Sequence, residues 1–283
     1  NPCRAGDCPG PAGHWPPERK HVPSSSNPMT PAQARAAMAL GEITGNTSAL
    51  CPGYAQANLV ILPADWAEEF ASFCHLNPKP CPLLERLEPG QPRTRFLAED
   101  ADVRDQLPRY RVWERGVLVG EPTDIHGLWR GDLVSFFLGC SFSFDLALQR
   151  GGVPVRHLEQ GRNVPMYRTN RPNQRAGRLA GPLVVSMRPM PPELVPKAVE
   201  ISGRFTRTHG APVYWGDPAG IGIADIGNPD FGEAVDLRAG EVPVFWACGV
   251  TPQAALMEAK PELAITHAPG SMFIADRLAE ELD

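Results

Sequence analysis

The chain has 283 residues, 42% hydrophobic and 21% charged, enough to bury one large core or two modest ones. Its 27 Lys and Arg are outnumbered by 32 Asp and Glu, for a formal net charge of −5, so a generic nucleic-acid surface is not expected. The longest apolar runs, FFLGC and ANLVILP, fall far short of the roughly 20 residues that span a bilayer; neither a membrane span nor a secretory signal is expected.

Residues 1–29 combine Pro, Gly and Ser with few apolar side chains and read as a flexible tail, followed by one α/β unit over 30–283. Thr30-Pro31 starts a helix that Gly41 stops. QANLVILP reads as a strand ending at Pro63, after which Asp65 and Glu68 suggest a capped helix. LPRYRVWERGVLV suggests a hairpin turning at Arg115-Gly116. Leu133–Gly139 is readable as helix or strand, and Ser143–Gln149 as helix. VPVRHLE and NVPMYRTN read as short strands, PLVVSMRP as a buried strand and PPELVPKAVEISGRF as a helix. Short strands are expected around PVYW and IGIAD, then a strand (VPVFWACG), a helix (TPQAALMEA), a strand (LAITHAP) and a C-terminal helix (SMFIADRLAEEL).

The alternation in the second half favours parallel strands with helical crossovers. Ligands of open parallel sheets bind beyond the carboxyl ends of the strands. That rule selects Ser186–Arg188, Cys248–Thr251 and His267–Gly270. Thr251 as N-cap and Pro252 as first helical residue would aim free amides at an anion. Gly249 would admit a ligand to the backbone, and Cys248 would lie where a helix start lowers a thiol pKa. Arg188 is suited to gripping a carboxylate, and His209 and His267 titrate near neutrality as general bases do. Each has a plain structural alternative: core thiol, internal ion pair, loop hydrogen bond. The strip VRHLEQGRNVPMYRTN gathers His157, Arg162, Asn163, Tyr167 and Arg168 as a polar recognition surface or a solvated hairpin. Cys140 and Ser141 open the helix after FFLG. The seven cysteines are scattered without CxxC spacing, and HExxH is absent; the thiols read as reduced and intracellular, and no metal site is expected. P-loop, GxGxxG and GxSxG patterns are absent too.

The runs CPGYAQANLVILP (51–63), FCHLNPKPCPL (73–83), FLGCSFSFDLAL (137–148), PVRHLEQGRNVPMYRTN (154–170), GPLVVSMRP (181–189), HGAPVYWGDPAGIGIAD (209–225), VPVFWACGVTPQAA (242–255) and THAPGSMFIAD (266–276) resemble the D-glutamate cyclase-like family, whose bacterial members are called hydro-lyases. The resemblance covers roughly residues 31–278. It implies a mixed α/β fold, with a three-layer α/β/α main part and a smaller two-layer α+β subdomain, which would fall within 90–180. It also implies no organic cofactor, and conversion of D-glutamate to 5-oxo-D-proline with loss of water. Three positions depart from the family pattern: the usual Arg-x-Gly-Glu reads Ala39-Leu40-Gly41-Glu42, Gly-Pro-Thr-Ala-Gly reads Gly45-Asn46-Thr47-Ser48-Ala49, and HGAPVH ends in Tyr214.

Lactam formation needs a base for the ammonium, donors for the oxyanion, an acid for the leaving oxygen and an anchor for the α-carboxylate. Arg168 or Arg188 would be the anchor, amides at Gly249–Thr251 the oxyanion donors, and His209 or His267 the base. Ser186 or Asn163 would position the leaving oxygen; a covalent route would use Cys248 or Cys140. Tyr167, Cys140 and Ser141 complete the candidate lining. Two other readings stay open: a carbon–oxygen hydro-lyase acting on a hydroxy acid, and a non-catalytic carboxylate-binding module. The expected partner is a small acidic metabolite in the cytoplasm, with neither nucleic acid nor membrane; a homo-oligomer is left open.

Overall fold

The computed structural model describes residues 28–282. The tail expected over 1–29, with Cys3 and Cys8, lies outside the described residues except for its last two positions. Helix α1 (Pro31–Ala39) starts as Thr30-Pro31 predicts. The Thr30 hydroxyl accepts the Gln33 N–H, and the Gln33 side chain accepts the Thr30 N–H, so two helix-end donors are satisfied reciprocally. Strand β1 (Tyr54–Pro63) is buried beyond its first residue. Helix α2 (Ala64–Leu76) follows without a linker, because Pro63 takes the N-cap position itself. Asp65 is therefore not the cap but a first-turn residue, and Glu68 bonds Arg86 instead of the helix start. After β2 (Leu83–Arg86), the hairpin β3 (Tyr110–Glu114) and β4 (Val117–Gly120) turns at Arg115-Gly116, both at positive φ. Leu133–Gly139 is a strand, β5, paired along its length with β1. Helix α3 (Phe142–Arg150) begins three residues later.

Four expectations are corrected. VPVRHLE contains one helical turn, α4 (Arg156–Glu159), which sets the buried Arg156 beside Glu159 at i+3 and lets it pair with Glu241. The expected C-terminal helix is strand β11 (Phe273–Leu278), because it pairs with β1 from Phe273 to Leu278, with an irregularity between. The expected strand around IGIAD (221–225) is not formed: Ile221 closes a 3-10 turn (Pro218–Ile221) capped by Gly222, and the following residues are loop. Finally, β6 (Met166–Pro172), β7 (Pro182–Met190), β8 (Tyr214–Trp215), β9 (Val242–Ala247) and β10 (Ala264–His267) all pair antiparallel, in company with every other named strand pair among the described residues. Alternation of strand and helix fixes element type but not strand direction; the helices α5 (Val195–Gly203) and α6 (Thr251–Ala259) link strands without making parallel crossovers.

The fold is mixed α/β with two antiparallel sheets. The larger runs β2-β5-β1-β10-β3-β4, with β11 also on β1; the smaller runs β6-β7-β9-β8. Alternation along β1 divides the large core. Ala57, Leu59 and Ile61 face Phe144 and Leu148 of α3 and Val195 and Ala198 of α5. Val60 and Leu62 face Trp66, Phe70 and Phe73 of α2 and Leu256 of α6. The large sheet thus has helices on both faces. The small sheet turns Tyr167, Val185, Met187 and Phe245 toward Ile221 and Ile223. Its other face reaches α3, where the Phe144 and Trp246 rings lie 5.9 Å apart. Helix α3 is wedged between the two sheets, so the polar residues of its first turn, Ser143 and Asp145, are buried.

Candidate active site

Strand β1 changes partner midway: it pairs with β11 up to Ala57 and with β10 from Val60. Asn58 and Leu59 lie at the changeover, and the His267 ring fills the slot. The Leu59 N–H donates to His267 Nδ1 at 3.1 Å, and Gln253 Nε2 lies 3.2 Å from the same nitrogen. The Asn58 amide donates to the carbonyls of Gly139 (2.7 Å) and Leu138 (3.3 Å). Gly249 rests on that carboxamide, where a Cβ would overlap the amide atoms; only glycine allows this approach. The segments 139–141, 249–253 and 267–271 therefore converge at this changeover, although the sheet is not parallel.

Beside it lies a buried polar cluster centred on Arg188, which has no exposed surface. Its Nε and Nη2 reach Asp145 Oδ1 at 2.8 and 2.7 Å. Nη1 and Nη2 also donate to Ser186 Oγ and Ser141 Oγ, each at 3.2 Å, and the guanidinium lies over the Phe144 and Trp246 rings. The second carboxylate oxygen, Asp145 Oδ2, is 3.2 Å from His157 Nε2, too oblique for a hydrogen bond. Burial opposes ionisation of Asp145, but Arg188 and His157 outweigh it, and the carboxyl lies below its ordinary range. Burial pushes the His157 imidazole down, with Asp145 pulling partly the other way. Asp145 Oδ2, both His157 ring nitrogens, Asn163 Oδ1 and His209 Nε2 are buried without a hydrogen-bond partner. Buried polar atoms are rarely left so.

The residues selected from sequence fall into three groups. Ser186, Arg188, Cys140, Ser141, Cys248 and His209 surround the cluster; the Arg188 charge reaches both thiols and the His209 ring. Gly249 and His267 lie at the changeover, and the Asn163 amide lies against Gly270. Two point elsewhere. Tyr167 faces the far side of the small sheet and donates to Ile226 O at 2.6 Å. Arg168 is exposed, over the Phe231 ring.

Several expected roles change. Arg188 is committed to an internal ion pair rather than open to a substrate carboxylate. Burial pushes the Cys248 thiol up to about 11 and the Cys140 thiol well above its usual value, outweighing the backbone amides beside them; neither is a thiolate at neutral pH. Thr251 is not the N-cap, which is Val250; its hydroxyl bonds Val184 N–H and C=O. Burial lowers His209 and His267 to about 4, so both rings are neutral. His209 Nδ1 is held by Lys79 O at 2.8 Å, while the His267 ring is occupied by Leu59 and Gln253.

Sequence reading missed Asp145, and placed His157 in a polar strip without a catalytic role. The signal was present: an acid amid the apolar run FSFDLAL needs a buried partner. A recess of about 100 Å³ lies between residues 48–56 and α3, with Gln56, Phe142, Asp145 and Leu158 in its wall. Among the described residues no three His, Cys, Asp or Glu side chains gather as metal ligands, and no helix is long and apolar enough to cross a membrane.

Residues 134–276 match the model of the D-glutamate cyclase family, a span that contains Asp145, His157, Arg188, His209 and His267. A protein of Bordetella petrii is 55% identical over 258 residues, covering 91% of this chain and 97% of its own. Relatives from Rubrobacter xylanophilus (58% over 252 residues; 89% and 97%) and Streptomyces avermitilis (54% over 260 residues; 92% and 94%) match similarly. All three carry the name "Putative hydro-lyase". The chain belongs to the D-glutamate cyclase family.

Proposed function

We propose that this protein is a hydro-lyase that closes an acidic amino acid, D-glutamate in the first instance, to its lactam 5-oxo-D-proline with loss of water. The observation that carries the reading is the pairing of buried, unpartnered polar atoms of Asp145 and His157, with Asp145 in the wall of a recess of about 100 Å³, within the span that matches the family. Lactam closure joins nitrogen to carbon and breaks a carbon–oxygen bond, with no change of oxidation state. It needs a base, an acid and charge-stabilising donors, all of which side chains and amides can supply. With Arg188 held by Asp145, the substrate carboxylates need other donors. The Asn163 side chain and the amides near Gly249 are the candidate donors. A thiol pathway is disfavoured by the raised Cys248 and Cys140 pKa values. The five cysteines among the described residues are free and buried, which supports a reducing, cytoplasmic setting.

Purified protein incubated with D- and L-glutamate, with 5-oxoproline followed by mass spectrometry, tests this directly. The expected outcome is enzyme-dependent 5-oxoproline, faster from the D-isomer. Turnover of a hydroxy acid with loss of its carbon-bound proton, and none of glutamate, would overturn it.

A further inference from the structure

We propose that Asp145 and His157 form the ammonium-binding and proton-transfer pair of this site, with Arg188 positioning Asp145 rather than binding substrate. The inference rests on the proposed reading of an amino-acid substrate and deepens it.

The geometry divides the Asp145 carboxylate into two unlike halves. Oδ1 takes both Arg188 contacts. Oδ2 is buried, without a hydrogen-bond partner, and faces the His157 ring. A carboxylate retained only to neutralise Arg188 would present both oxygens to the guanidinium, since the bidentate arrangement is the stronger one. Here one acceptor is left for a cation, and Asp145 forms part of the recess wall. A primary ammonium is the small cation that an amino-acid substrate brings.

His157 is the second half. Its ring lies in a stack with Phe142, centroids 6.1 Å apart, which fixes its plane. The charged groups that act on it are Asp145 from α3, Arg188 from β7 and Glu159 from its own helix. A neutral imidazole accepts a proton, and an ammonium seated on Asp145 Oδ2 would be its neighbour. In the reaction the nitrogen gives up two protons, bonds to the side-chain carboxyl carbon, and the carbon–oxygen bond breaks. Both protons end on the departing oxygen, which leaves as water, with His157 carrying them. No oxidant, reductant or further reactant is needed.

Two measurements test the pair. The first is binding to the wild-type protein and to His157→Gln, followed by calorimetry, with D-glutamate against glutarate, its counterpart without the amine. D-glutamate should bind at least about 10-fold more tightly, as a charge-assisted contact implies, and Asp145→Asn should erase the difference. Equal binding of the two acids overturns the proposal even where lactam is formed. The second is the pH profile of His157→Gln, which keeps the Asp145–Arg188 pair and so should fold. Its kcat should fall about 100-fold or more, and the acid limb of the wild-type profile should vanish. A folded His157→Gln with unchanged kcat and acid limb overturns the assignment of the base. A wild-type protein that makes no lactam fails the functional reading alone; the comparison of amino acids with their amine-free counterparts, extended to D-aspartate against succinate, still decides the ammonium site.

Discussion

Arg188 illustrates how burial redirects a side chain. At the end of a strand-like sequence it reads as an anion anchor, and nothing local distinguishes that role from an internal pair. The structure gives it an aspartate from 43 positions earlier, two serine hydroxyls and two aromatic faces. Removing one member of such a pair leaves a bare buried charge, worth about 3–5 kcal/mol. Arg188→Met should therefore destabilise strongly, whereas the double change with Asp145→Leu should recover much of the loss. Urea midpoints of the three variants check this, and a double variant no more stable than Arg188→Met would refute it. At this scale sequence disclosed the residues that carry polar chemistry but not their pairing. His209, His267 and Arg188 stand out as residue types. Asp145 becomes visible only when its helix is known to be wedged between two sheets. Local pattern likewise predicts a lowered Cys248 pKa, whereas desolvation by the assembled core raises it.

Elements with strong local punctuation were legible. Thr30-Pro31 began α1 where it should, and Arg115-Gly116 turned the β3–β4 hairpin. The reciprocal cap gives α1 a measurable dependence: Thr30→Ala should cost about 1 kcal/mol, read as a lowered urea midpoint with little change in activity, since α1 packs on β11 and contributes no residue to the cluster. An unchanged midpoint would mean that tertiary contacts alone hold the helix start. Elements whose form is set by distant partners were not legible. VPVRHLE folds into a helical turn because Arg156 pairs with Glu159 and Glu241. SMFIADRL is extended because β1 has a vacant edge beside Ala57. The strand–helix alternation of the second half gave the right element types and the wrong strand direction, yet two of the segments that the parallel rule selected meet at the β1 changeover.

At the scale of the whole molecule, the buried histidines make stability depend on pH. His209 and His267 have folded pKa values of about 4, against 6.5 ordinarily. Between those limits the unfolded chain binds more protons than the folded one, so stability falls as pH drops through the window. The loss is on the order of 3 kcal/mol for each ring and levels off near the folded value. Asp145 has the usual carboxylate sign: its contribution is present above the unfolded value and lost as pH falls further. Urea midpoints should therefore be lower at about pH 5 than at about pH 7; a flat profile would show that the rings are solvated. The changeover on β1 has a consequence for biosynthesis. One side of β1 is covered by β5 within about eighty residues of chain, but its other side waits for residues 264–278. A polypeptide emerging from the ribosome thus carries an uncovered strand edge through most of its translation, and the Asn58 neighbourhood is finished only when those last strands arrive.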